Sequence, residues 1–67
     1  MSVAKVIEIS AQSPKSFEDA IQEGIHRAAK TVDNIQTAWV KEMQVEVENG
    51  EVTGYRVNMK VTFLLSN

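Results

Sequence analysis

The run Tyr55-Arg56-Val57-Asn58-Met59-Lys60-Val61-Thr62-Phe63 alternates apolar and polar residues without a break. A period of two is the mark of a strand with one buried and one wet face. It predicts a strand from Val52 to Leu65, with Tyr55, Val57, Met59, Val61, Phe63 and Leu65 on one side. Thr53, Arg56, Asn58, Lys60 and Thr62 are assigned to the other. Just upstream, Glu48-Asn49-Gly50-Glu51 is a hairpin signal. The partner strand then runs from Gln36 to Glu48, where Met43, Val45 and Val47 alternate with Glu42, Gln44, Glu46 and Glu48. Nearer its start the alternation fails, with Ala38, Trp39 and Val40 consecutive. Both apolar sets carry odd numbers, so opposed residues must add to an even number. A bare two-residue Asn49-Gly50 loop gives an odd one, which predicts a three-residue loop or a bulge.

Before the hairpin the period changes. Phe17, Ala20, Ile21, Gly24, Ile25, Ala28, Ala29 and Val32 recur at spacings of three and four. Glu18, Asp19, Gln22, Glu23, His26, Arg27 and Lys30 occupy the opposite side. This predicts an amphipathic helix of about 17 residues, stopped by Asp33-Asn34. Ser16 is a fitting N-cap with Asp19 three residues on; Ser13 with Pro14 at the first helical position is the competing start. Val3 to Ile9 is β-branched and free of Gly and Pro, hence a strand, with Ser10 to Ser16 as a loop. The fold class is α+β: a single β-α-β-β domain over residues 1–67, a three-stranded antiparallel sheet wrapped around one helix.

Composition narrows the function. Seven basic and nine acidic side chains give a net charge of −2, which argues against a nucleic-acid partner, since phosphate binding needs clustered Lys and Arg. With no cysteine there is no disulfide, thiolate nucleophile or sulfur-ligated zinc, and a single histidine leaves no relay. No Gly-rich phosphate loop and no nucleophile–base pair is visible, so catalysis is not expected. The short apolar runs predict no membrane partner and a cytoplasmic location. A core of this size supplies only about 3–5 kcal/mol, so association with further copies is expected.

The order of strand, Ser-Pro-x-Ser-Phe-Glu-Asp-Ala (from Ser13), helix, Val-Asp-Asn-Ile (to Ile35), Asn-Gly hairpin and Tyr-x-Val-x-Met-x-Val-x-Phe (from Tyr55) resembles the dodecins over nearly the whole chain. The resemblance implies a hollow homododecamer of cubic-type symmetry. It also implies flavin (FMN, FAD or riboflavin) bound in pairs between subunits for storage or quenching. The flavin pattern itself is broken. The stacking Trp of flavin-binding members falls on Thr37, the Gln after their Tyr falls on Arg56, and two further arginines fall on Gln44 and Leu64. Ile-x-x-Ala-x-Val from Ile35, with Arg after Tyr55, is more similar to the branch that includes a calcium-binding dodecin. The expectation is a non-enzymatic homododecameric shell for a flavin-type small ligand, with flavin binding weakened or absent. The alternative is a structural or calcium-binding dodecamer without flavin.

Trp39, Thr37, Gln44 and Arg56 are the candidate ligand-binding residues. Trp39 has three readings: an anchor between subunits, which the sequence favours, a displaced stacking platform beside Thr37, or monomer core. Arg56 can hold a phosphate or carboxylate, but pairing with Glu42, Glu46 or Glu48 weighs more. Glu42, Glu46, Glu48 and Glu51 form an acidic stripe without an EF-hand loop, better read as a solvated strand face than as a calcium site. His26 belongs to solvent or an interface, and Met43 and Met59 to the core.

Overall fold

Ser16 starts the helix. Its Oγ accepts a hydrogen bond from the Asp19 amide at 3.0 Å, and Glu18 and Asp19 place negative charge in the first turn. The reciprocal capping contact is replaced by another, as the Asp19 carboxylate accepts the Ser13 hydroxyl at 2.6 Å. The computed structural model describes residues 2–65. In chain order these form β1 (Ala4–Ser13), α1 (Phe17–Ala28), β2 (Ile35–Glu48) and β3 (Glu51–Leu64). The sheet is antiparallel in the order β1-β3-β2, so the most regular strand of the sequence is the central one.

Two boundaries differ from the sequence reading by more than one residue. Residues 10–13, expected as loop, extend β1, because their backbone pairs with Tyr55 to Asn58 and that outweighs their weak strand propensity. The helix stops at Ala28, short of the expected length. Beyond it, Lys30 and Thr31 donate to Arg27 and Ala28 three residues back, at 3.2 and 3.1 Å, tightening the last turn. Asn34 then reverses the chain at φ 65°, a conformation Asn tolerates.

The hairpin satisfies the parity argument through a bulge. Asn49 (φ 52°) and Gly50 (φ 76°) form a two-residue turn between the paired Glu48 and Glu51. The register shifts between Glu46 and Val47, which brings Val45 opposite Tyr55 and Met43 opposite Val57. A second shift between Val40 and Glu42 reverses the parity again, so that Val40 faces Met59 and Ala38 faces Val61. The three consecutive apolar residues are thereby resolved: Ala38 and Val40 join the helix side, and Trp39 joins the opposite face.

The helix packs through Phe17, Ala20, Ile21 and Ile25 onto Ile9, Ala11, Val57 and Met59. Phe17 meets Tyr55 edge-on at 5.1 Å. Gly24 sets how closely helix and sheet approach, since a Cβ there would lie 2.9 Å from both Ala11 Cβ and Met59 Cε. Gly24→Ala gains about 1 kcal/mol of helix propensity but overpacks the core at a cost of about 1–3 kcal/mol. A lower melting temperature by calorimetry is expected, and a higher one would show that the helix can lift from β1 freely.

The sheet extends well beyond this cover. The molecule measures 51 × 19 × 13 Å, and the helix packs on β1 and β3, leaving the hairpin arm bare. Met43, expected in the core, is 53% exposed there, because its strand runs past the end of the helix. Met59 is fully buried, as expected.

Candidate functional site

All four candidate residues lie on the helix-free face of the sheet. The ladders place Thr37 opposite Thr62, Trp39 opposite Lys60, and Gln44 opposite Arg56. They are not one constellation. Lys60 and Arg56 stand four residues apart on β3, about 13 Å along the strand, so Thr37 and Trp39 form one group and Gln44 and Arg56 another.

The arm-side group is a closed polar network. Arg56 donates through Nη1 to Ser10 Oγ at 3.0 Å and through Nη2 to Gln12 Oε1, while Nε lies 3.6 Å from Glu46. Gln12 Nε2 donates to Glu46 Oε1 at 2.6 Å, crossing the central strand at Gly54, where a Cβ would stand about 3 Å from both side chains. Glu42 accepts from Asn58 Nδ2 at 2.9 Å. Arg56 is thus held by a glutamate of the neighbouring strand, the structural pairing that its position on the polar face predicted.

The second group was only half visible in the sequence. Trp39 is 65% exposed, so it is not monomer core. Lys60 Nζ sits over its ring, 5.8 Å from the centroid. On the far side of Lys60 is its β1 partner Glu8, which accepts from Lys41 Nζ at 3.0 Å. The bulge at Lys41 makes this arrangement, and strict alternation along β2 cannot show it. The Lys41 hydrogen bond and charge, with a smaller contribution from Lys60, hold the Glu8 carboxyl below its ordinary range. Because the folded value is depressed, the pair stabilises the fold above the ordinary glutamate range, and this is lost as pH falls through the lowered value. An NMR titration should find the Glu8 midpoint below that of an unpaired glutamate, moving back toward it as salt is raised. A midpoint at or above the unpaired value would show the contact is not made in solution.

Neither group is a catalytic arrangement. Buried Ser13 spends its hydroxyl on Asp19, and His26 is exposed on the helix. Among the described residues no group of three His, Asp or Glu side chains could hold a metal ion. Calcium takes about 6–8 oxygens, while Glu8, Glu42 and Glu46 already have partners. No helix of the described residues is long and apolar enough to cross a membrane.

Residues 3–66 match the family described as Dodecin. Calcium dodecin of Mycobacterium tuberculosis is 41% identical over 63 residues, covering 94% of this chain and 89% of that protein. The dodecin from Streptomyces davaonensis superposes with a TM-score of 0.94 at 32% identity, covering 98% of this chain and 97% of that one. The crystal structure of the Mycobacterium tuberculosis calcium dodecin, described as calcium-chelating with a novel calcium-binding site, gives a TM-score of 0.83 at 39% identity, over 97% of this chain and 93% of that one. Of these two structures, the sequence is nearer the calcium dodecin and the backbone nearer the Streptomyces protein.

Proposed function

The chain belongs to the dodecin family, and from that premise we propose that it is a non-enzymatic subunit of a closed shell of twelve copies, working in the cytoplasm and holding a small ligand. One observation carries the reading. Among the described residues Ala20, Val57, Met59 and Val61 are the fully buried hydrophobic ones, whereas Val3, Val6, Trp39, Met43, Val45, Val47, Val52 and Leu65 are large and exposed. Such a surface is that of a subunit rather than of a finished monomer.

Within that shell the helix-free face is the ligand side, and Trp39 is its aromatic platform. The alternative role, an anchor in a dry interface, would take the ammonium groups of Lys60 and Lys41 and the Glu8 carboxylate out of water together with the indole, at a steep desolvation cost. Flavin is held weakly or not at all. Thr37 offers no ring where flavin-binding dodecins stack one, and Arg56 is committed to Glu46, Ser10 and Gln12. A lost stacking contact is worth about 0.5–1.5 kcal/mol beyond its buried area, up to about tenfold in affinity. Titration of FMN, FAD and riboflavin, followed by flavin fluorescence, should show weak or no quenching, and Thr37→Trp should tighten it. Stoichiometric flavin carried through purification would overturn this.

The second reading is a calcium-holding shell without flavin. It is supported by the likeness to calcium dodecin and by Glu48 and Glu51, which stand directly opposite each other beside the turn. Two like charges so placed repel, and a divalent cation completed by neighbouring subunits would relieve them. Calorimetric titration of the chelator-treated protein with Ca²⁺ tests it; heat that persists in Glu48→Gln/Glu51→Gln would remove these residues from the reading.

A further inference from the structure

Three residues stand in one row across the helix-free face. Glu8 of β1 and Trp39 of β2 are both the direct cross-strand partners of Lys60 on β3. The Lys60 ammonium is therefore flanked by two alternative partners, a carboxylate on one side and an indole on the other. It lies over the indole, 5.8 Å from the ring centroid. The bulge supplies the reason. Lys41, the extra residue between Val40 and Glu42, reaches across to Glu8 at 3.0 Å and meets its charge. An exposed ion pair and an exposed cation–π contact are of similar, small strength. Removing the competitor for Glu8 then lets Lys60 divide itself between the carboxylate and the indole.

We infer that Lys41 is a positioning residue for Trp39: by occupying Glu8 it keeps the Lys60 ammonium over one face of the indole, and so decides how much of the ring is open to an occupant. The inference rests on the reading of Trp39 as a solvent-facing platform. Its consequence is that a residue two positions away, whose ammonium is held by Glu8, controls access to the ring. When Lys41 lets go of Glu8, Lys60 spends part of its time at the carboxylate, and the covered face opens for that part.

The chain has a single tryptophan, so acrylamide quenching and emission of the intact assembly read Trp39 alone. Lys60→Ala removes the cover and should raise the quenching constant roughly twofold, as expected when the second of two ring faces is uncovered. Lys41→Ala should rise about halfway to that value, since the two contacts are of similar strength. Glu8→Gln, which removes the competing carboxylate, should stay at the wild-type level, and Lys41→Ala/Glu8→Gln should return to it. Lys41→Arg keeps the pair and should behave as wild type, which guards against a merely misfolded Lys41→Ala. A Lys41→Ala constant equal to wild type, or one that the second substitution fails to restore, would overturn the positioning role. No change in Lys60→Ala would remove the cover itself. A tryptophan unreachable in every variant would overturn the inference by showing that a neighbouring subunit covers the ring, and would leave the shell reading standing.

Discussion

Val47→Asp is expected to turn a particle of about 90 kDa, twelve copies of a 7.5-kDa chain with closed symmetry, into free subunits. Met43, Val45, Val47 and Val52 line one side of the hairpin arm beyond the reach of the helix, each between 42% and 59% exposed. Val45 and Met43 oppose Tyr55 and Val57, so the stripe continues the core face of the sheet with nothing on top of it. In the proposed shell a neighbouring subunit covers this stripe. Fully burying a valine is worth about 1.5–3 kcal/mol, and a carboxylate in its place adds a desolvation penalty of several kcal/mol, on the order of that for any unpaired buried ion. Symmetry repeats the loss at every copy. Multi-angle light scattering at micromolar concentration should give about 90 kDa for the wild type and a much smaller mass for the variant. Circular dichroism should find the helix retained, since Val47 does not touch the α1 packing. Wild-type protein that ran as monomer or dimer, or a variant that stayed at full size, would refute this role for the arm.

The parts of the fold legible in the sequence are those where one local rule decides. The alternation from Tyr55 to Phe63 names the central strand because both of its neighbours are strands of this chain and the helix covers one face only. The helix from Phe17 is equally plain, since its apolar residues lie against β1 and β3. What could not be read depends on pairing between distant segments. Ser10 to Ser13 have loop-like composition and become strand because Tyr55 to Asn58 stand beside them. Parity demanded an irregularity near the turn, and the bulge is there; the second one, at Lys41, left only the run Ala38-Trp39-Val40 as its trace.

The same limit applied to the candidate site. Arg56 and Glu46 were findable from parity, since both sit on the polar side of adjacent strands. The Glu8–Lys41 pair was not, because it joins the two outer strands over the central one, and no spacing in sequence encodes that distance. Lys60 reads in the sequence as an alternating polar residue, but only the register places it in one row with Trp39.

Trp39→Ala tests what that row is for, and the expected result separates the two roles of the indole. Phe17, Tyr55 and Phe63 belong to the helix side, as their register and packing show. Trp39 is thus the aromatic surface of the helix-free face among the described residues. Truncating it removes the means of stacking a planar ligand there, a loss of about 1–3 kcal/mol by analogy with base–aromatic stacking, or roughly fivefold to more than a hundredfold in affinity. The fold should hardly respond, because an exposed side chain away from the core changes stability by about 0.5 kcal/mol or less. Trp39→Ala should therefore elute at the wild-type size and lose whatever FMN binding the wild type shows, while the wild-type indole is reached by acrylamide. An interface anchor gives the opposite pair of results. Its loss would be core-like, about 3–5 kcal/mol, felt at each copy, with dissociation or aggregation on gel filtration and a wild-type tryptophan shielded from the quencher. The charged surroundings favour the platform: with Lys60 on its ring, and Lys41 and Glu8 paired beside it, burial in a dry interface would carry the desolvation cost of all three charges.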